Sequence, residues 1–278
     1  MSLFAARKID CHNHIFDPQR FPYQPDTPYR PLDCESSPAN LFHQVLDIHG
    51  VSHALLVGPN SGYGENDNRA LLDAIAGSNG RFRGMAVVSQ DVSVETLAAL
   101  KAQGVVGVTF NVAYYGLEHF AASDALLGKL ADLEMLAQVQ TQDDQMLGLA
   151  PMLKRHPVRV VVDHCGRPNL GDGVDGKGFQ AVLDLAENGR TWIKVSGFAK
   201  FSRQSAPWLD VDPYVAAICE AYGAERCLWG SDWPFLKALE RMDYGVMVQL
   251  VKRHFPDAEE REAYLWRNAA SLFGFDEM

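Results

Sequence analysis

The chain has 278 residues, is 47% hydrophobic and carries a formal net charge of −10. That apolar share supports a packed core and excludes an intrinsically disordered chain. The acidic balance argues against a nucleic-acid partner, which needs a basic face, but leaves room for an anionic ligand held by a local cation. Along the chain, short β-branched runs alternate with longer segments of helical period. KIDCHN, from Lys8, precedes a helix over 38–49, SHALLV (52–57) one over 67–77, and FRGMAVV (82–88) one over 93–103. VVGVTFNV (105–112) precedes 122–136, AQVQT (137–141) precedes 144–155, and RVVVDH (159–164) precedes 178–188. TWIKVSG (191–197) and RCLWGSD (226–232) are followed by helices over 212–222 and 238–253. Ser93 and Ser123 sit as N-caps, and Gly104 and Gly189 stop helices just before the next strand.

Eight strand–helix pairs in strict alternation predict an α/β fold, a (β/α)8 barrel of the TIM type, with residues 1–278 as a single domain. An additional C-terminal helix, in EEREAYLWRNAASLFGF, is expected against the outside or the bottom of the barrel. Five cysteines (Cys11, Cys34, Cys165, Cys219, Cys227) are odd in number and never spaced CxxC, as reduced thiols are. No segment has the pattern of a signal peptide or reaches the roughly 18 apolar residues of a membrane span. The expectation is a cytoplasmic protein with no membrane partner. Oligomeric state leaves no signature.

The chemistry concentrates at three places. Asp10, His12 and His14 alternate in the first strand, so all three are expected on one face, with Cys11 turned outward into the β/α layer as Cys165 is. His164 ends the sixth strand and Asp232 the eighth. In a barrel the eighth strand neighbours the first, and the strands' C-terminal ends carry the active site, so these side chains meet in one bowl. His12, His14, His164 and Asp232 suit one zinc or other divalent ion in ligand type. They equally suit metal-free hydrolysis, with the aspartate taking a proton from water and the histidines polarising a carbonyl. The glycine-rich GDGVDGKG (171–178) lacks the context of a phosphate loop and reads as a mobile rim loop.

The D-x-H-x-H of the first strand, DHCGRP of the sixth and WGSDWP of the eighth resemble the amidohydrolase superfamily. IDCHNHIFDPQRFPYQPDTPYRP, VVVDHCGRPN and CLWGSDWPF look more narrowly like its 2-pyrone-4,6-dicarboxylate lactonase branch, over nearly the whole chain. The resemblance implies a hydrolase that opens a lactone of a small carboxylic acid, in aromatic compound catabolism, with no metal required. It implies Asp232 as general base, the three histidines as carbonyl-polarising groups, and Tyr29, Asn60 and Ser61 as substrate contacts. The strand-four arginines of the branch are missing: GVTFNVAYYGL carries no basic residue, and strand five offers Gln140 or Thr141 where metal-dependent relatives place a histidine. That leaves one metal ion as the alternative and makes a binuclear site improbable. Lys200 and Arg203 follow strand seven, and Arg203 is the expected carboxylate anchor, with a solvated surface arginine as the competing reading. A zinc-dependent decarboxylase or amide or sugar-lactone hydrolase, and a catalytically silent binding barrel, are the other functional readings.

Overall fold

The computed structural model describes residues 2–27 and 29–275. Its strands are β1 (Ile9–Asn13), β2 (His53–Val57), β3 (Phe82–Ala86), β4 (Val105–Asn111), β5 (Leu136–Gln140), β6 (Arg159–Val162), β7 (Thr191–Lys194) and β8 (Cys227–Leu228). Between them lie α1 (Ala39–Ile48), α2 (Arg69–Ala76), α3 (Val94–Ala102), α4 (Val112–Tyr115), α5 (Asp124–Asp132) and α6 (Gln145–Arg155). Then come α7 (Lys177–Leu183), α8 (Asp212–Tyr222), α9 (Tyr244–His254), α10 (Ala258–Glu262) and α11 (Asn268–Phe273). The strands form one parallel sheet in the order β1 to β8. Hydrogen bonds from Cys11 N to Trp229 O and from Asp232 N to His12 O bring the first and eighth strands together. The fold is the (β/α)8 barrel that the alternation predicts.

Two apolar layers follow from strand alternation. Ala54, Leu56, Phe82, Val108, Val160 and Val162 pack with the helices outside the sheet. Ile9, Leu55, Met85, Leu136, Val161 and Leu228 form a separate cluster with Trp266, Ala269, Leu272 and Phe273. The C-terminal segment therefore closes the barrel's bottom. It does so in three pieces, because a π-helical stretch, Ala263–Arg267, separates α10 from α11. Among the described residues no helix is long and apolar enough to cross a membrane.

Three local expectations need correction. Cys11 belongs to the inner cluster, not to the β/α layer, and Asp10 points away from the site. The cause is an extra residue in β1: Asp10 pairs with Ala54 but Asn13 with Leu56, so Cys11 and His12 together face Leu55. A bulge re-aims the side chains that follow it, and this one turns His12 inward although Cys11 is already inward. Asp10 instead accepts bonds from Ser231 Oγ (2.6 Å) and Tyr244 OH (2.8 Å), fastening β1 to the β8 loop and to α9. The helix expected over 238–253 begins only at Tyr244. Ahead of it, Phe235 and Lys237 adopt positive φ, and the loop turns over the barrel mouth. Ser123 caps no backbone N–H by its side chain; its hydroxyl donates to Gln90 Oε1.

Candidate active site

The C-terminal mouth of the barrel holds a cavity of about 420 Å³ lined by His12, His14, His164, Asp232, Asn60 and Ser61, among others. The His12 and His164 rings lie tilted at 45° with centroids 4.1 Å apart, and His14 meets His12 edge-on at 5.1 Å. Asp232 Oδ1 lies 3.6 Å from His164 Nε2 and 3.9 Å from His12 Nε2. His164, Arg167, Asp232 and Lys237, which all line the cavity, have positive φ of 51°, 47°, 65° and 57°. For side chains larger than glycine each such residue costs about 1–2 kcal/mol. Strain concentrated around one cavity is held there by the surrounding barrel.

Each imidazole is anchored through Nδ1, leaving Nε2 toward the cavity. His14 Nδ1 lies 2.8 Å from Val57 O, which can only accept, so this nitrogen carries the proton and neutral His14 presents a bare Nε2. His164 Nδ1 pairs with Ser196 Oγ at 3.1 Å. Gly197 passes so close behind it, at φ +65°, that a Cβ there would lie 2.2 Å from His164 Nδ1. His12 Nδ1 rests on a buried polar layer that the sequence reading missed. Lys194 Nζ lies 2.9 Å from Asp163 Oδ1, 2.7 Å from Gln138 Oε1 and 3.3 Å from His12 Nδ1. Gln138 Nε2 donates to Asp163 Oδ2 at 2.8 Å, and His12 Nδ1 is itself 3.2 Å from Asp163 Oδ1. Gln138, Asp163 and Lys194 alternate inward with Leu136, Val161 and Trp192. That periodicity, on strands otherwise apolar, is the signal that reveals them.

Electrostatics follow from burial. Burial, with Lys194 and His14 adding repulsion, takes His12 well below the ordinary histidine value of 6.5; burial with His12 nearby does the same to His164. Burial also lowers His14, against the pull of Asp232. For Asp232 burial alone would raise the carboxyl, but Lys200 and the neighbouring imidazoles outweigh it and hold it below 3.8. Since the imidazoles are neutral near pH 7, the Lys200 ammonium, 3.3 Å from Asp232 Oδ2, is the partner that counts. A second bond, from Lys200 Nζ to Leu236 O at 2.7 Å, fixes its position.

The other sequence candidates divide. Asn60, Ser61 and Lys200 line the cavity; Tyr29 and Arg203 do not. Tyr29 OH donates to Glu35 Oε2 at 2.5 Å, and its ring lies beneath Lys237 Nζ at 4.4 Å, so it braces a cavity-lining cation from behind. Arg203 reaches Asn169 Oδ1 on the exposed surface. The cation that does enter is Arg167, half-buried, with its Nε buried and without a hydrogen-bond partner. It stands inside the DHCGRP motif, two residues after Cys165, and a glance along that motif could have found it. None of residues 171–178 lines the cavity; Leu236, Lys237 and Leu239 of the β8–α9 loop do.

Nε2 of His12 and His14 and a carboxylate oxygen of Asp232 fit one divalent ion in type: such atoms on these three residues lie within 4.8 Å of one another. His14, its proton fixed on Nδ1, is already in a ligating tautomer.

An amidohydrolase family model matches residues 9–275. The chain belongs to the amidohydrolase family. It is 31% identical to the 4-sulfomuconolactone hydrolase of Rhizobium radiobacter, over 95% of this chain and 89% of that protein. It is also 31% identical to the 2-pyrone-4,6-dicarboxylate hydrolase of Comamonas testosteroni, over 98% and 92% of the two chains. The crystal structure of a "probable 2-pyrone-4,6-dicarboxylic acid hydrolase" from Acinetobacter baumannii, with citric acid bound, superposes with a TM-score of 0.87 at 29% identity, covering 96% of this chain and 99% of that one. These full-length amidohydrolase relatives are lactone hydrolases by name.

Proposed function

We propose that this amidohydrolase opens a lactone of a small carboxylic acid by attack of water. The observation that carries the reading is the ionised Asp232 carboxylate at the cavity floor, within 4 Å of two imidazole Nε2 atoms and of the Lys200 ammonium. Asp232 takes a proton from water as the water oxygen bonds to the lactone carbonyl carbon. The ring C–O bond then breaks, and the departing oxygen recovers the proton from Asp232. His14 presents a bare Nε2 and accepts a hydrogen from the attacking water, orienting it. His12 Nδ1 is held between the Lys194 ammonium and the Asp163 carboxylate, and His164 Nδ1 pairs with the Ser196 hydroxyl. With the proton on Nε2, His12 and His164 steady the carbonyl oxygen as it gains charge.

Asn60, Ser61 and Lys200 contact the substrate in this reading, and Arg167 takes the anchoring role expected of Arg203. If a divalent ion is held by His12, His14 and Asp232, with His164 beside them, it supplies Lewis-acid polarisation of the carbonyl or of water. The mechanism does not require it, because the Lys200 ammonium already stands in the cavity beside Asp232. The names of the relatives support a lactone ester as the bond cleaved. The test is proton release from a panel of carboxylated lactones incubated with the purified protein. Saturable hydrolysis that Asp232→Asn abolishes is expected, and no hydrolysis of any lactone would overturn the proposal.

A further inference from the structure

The cavity has two chemically different sides. Its three cations come from the loops after β6, β7 and β8: Arg167, Lys200 and Lys237. The opposite wall, built from β4 and α4, is neutral and polar: Thr109, Asn111 and Tyr114, flanked by Asn60, Gln140 and Gln142. Thr109 Oγ1, Asn111 Oδ1 and Tyr114 OH are each buried with no hydrogen-bond partner, although Thr109 is 94% buried by its 6% relative exposure. A buried polar atom left unpaired costs about 1–3 kcal/mol. Three on one short wall of one cavity are what a ligand-reading surface leaves when its ligand is elsewhere.

What these groups can pair with decides what they read. The Asn111 amide pairs with the Asn60 amide at 3.2 Å, and Asn60 in turn with Tyr115 OH at 3.3 Å. Tyr115 OH can donate or accept, so one amide atom of Asn111, of either kind, is left facing a ligand. Among the described residues no cation stands on this wall to neutralise a carboxylate or sulfonate, whereas a hydroxyl both donates and accepts and so satisfies Asn111, Thr109 and Tyr114 alike.

Resting on the lactonase reading, we infer that the β4 wall is a hydroxyl-binding subsite and that the substrate is a hydroxylated lactone with a single anionic group, its hydroxyls toward Thr109 and Asn111 and its acid toward Arg167, Lys200 and Lys237. This differs from a planar dicarboxylate, which would place an anion against the neutral wall. It also differs from a neutral sugar lactone, which leaves the cations unused.

The test compares kcat/KM on four lactones. They are the monolactone of a hexaric acid, with hydroxyls and one acid; 2-pyrone-4,6-dicarboxylate, with two acids and no hydroxyl; muconolactone, with one acid and no hydroxyl; and a neutral aldonolactone. The hexaric monolactone should lead each of the others by roughly 100-fold, as a site built around buried hydrogen bonds discriminates. In Thr109→Val the ratio of hexaric monolactone to muconolactone should fall about tenfold, a change that mere loss of folded enzyme does not produce. A lead for the dicarboxylate, or a ratio unmoved by Thr109→Val, overturns the inference while leaving lactone hydrolysis intact. If no lactone is opened, the lactonase reading falls and the subsite is read by calorimetry with gluconate against hexanoate. Gluconate should bind at least about tenfold tighter, and equal affinity would overturn the subsite.

Discussion

The Lys194 ammonium lies 2.9 Å from Asp163 and 3.3 Å from His12 Nδ1, with no part of the lysine or the aspartate exposed. Two opposite charges are thus enclosed in the barrel immediately below the reactive histidines. Breaking such a pair from one side leaves a buried charge uncompensated, which costs about 3–5 kcal/mol. Lys194→Met should therefore lower stability by about that amount, read from urea denaturation midpoints. Lys194→Met combined with Asp163→Asn should recover much of the loss, because no charge is then stranded. A single variant as stable as the parent would show that the pair carries no such penalty. In the double variant, activity should stay depressed, since His12 has lost both charged groups that position its Nδ1.

A related expectation concerns metal. Lys200 is 3.3 Å from Asp232 Oδ2, and a dication at His12, His14 and Asp232 would be brought up against that ammonium. Dialysis against a chelator should leave lactone turnover unchanged, with elemental analysis confirming that the protein is then free of zinc and manganese. Activity lost with the metal and restored by adding it back would give the ion the carbonyl polarisation proposed for His12 and His164.

In the metal-free protein the pH dependence follows from the same contacts. The histidines are held below 6.5 by burial, His12 and His164 well below it, so all three are neutral near pH 7. Asp232 is held below 3.8, so the base remains ionised well into acid. Any break that the histidines put in the profile of kcat/KM should lie below 6.5. Loss of kcat/KM from protonation of the base should begin only as pH falls toward Asp232's depressed value. Lys200→Met removes the cation that opposes burial, so the acid limb should move to higher pH. An acid limb that stays in place in Lys200→Met would separate it from Asp232. Stability follows the histidines: the unfolded chain binds more protons than the native one below 6.5, so stability falls as pH drops through that range.

The barrel and the meeting of His12, His14, His164 and Asp232 were legible because strand–helix alternation and strand ends are local patterns. Three features were not. The β1 bulge depends on pairing with β2, and strict alternation gives Asp10 and Cys11 the wrong faces without it. The Lys194–Asp163–Gln138 layer joins three strands across more than 50 residues, and each member alone looks like an ordinary polar residue in a strand. Residues 238–243 were read as helix, whereas the chain, turned by positive φ at Phe235 and Lys237, crosses the mouth before α9 begins at Tyr244. With the strand-four arginines missing, the loop after strand seven offered Arg203 as the anion's anchor, with a solvated surface arginine as the competing reading. The fold brings in Arg167, because the left-handed turn from His164 to Arg167 directs that residue back over the cavity.

That exchange of arginines is testable. Arg167 lines the cavity and its Nε is buried without a partner, while Arg203 is spent on Asn169 at the surface. Burial lowers the Arg167 guanidinium from its usual value, and the nearby charges of Asp232 and Asp143 only partly restore it, so a ligand carboxylate is a partner it lacks. Charge-assisted hydrogen bonds contribute about 1.5–3 kcal/mol each, so Arg167→Met should raise KM for a carboxylated lactone by roughly 10- to 100-fold. Arg203→Ala should leave KM where it was, since that side chain does not reach the cavity. Steady-state kinetics on the acid and on its neutral methyl ester separate anion binding from general damage. With the ester, Arg167→Met should lose little, because no carboxylate is present to be held. Equal losses on acid and ester would mean that Arg167 shapes the cavity rather than binding the anion. A large KM effect in Arg203→Ala alone would restore the anchor expected from the loop after strand seven.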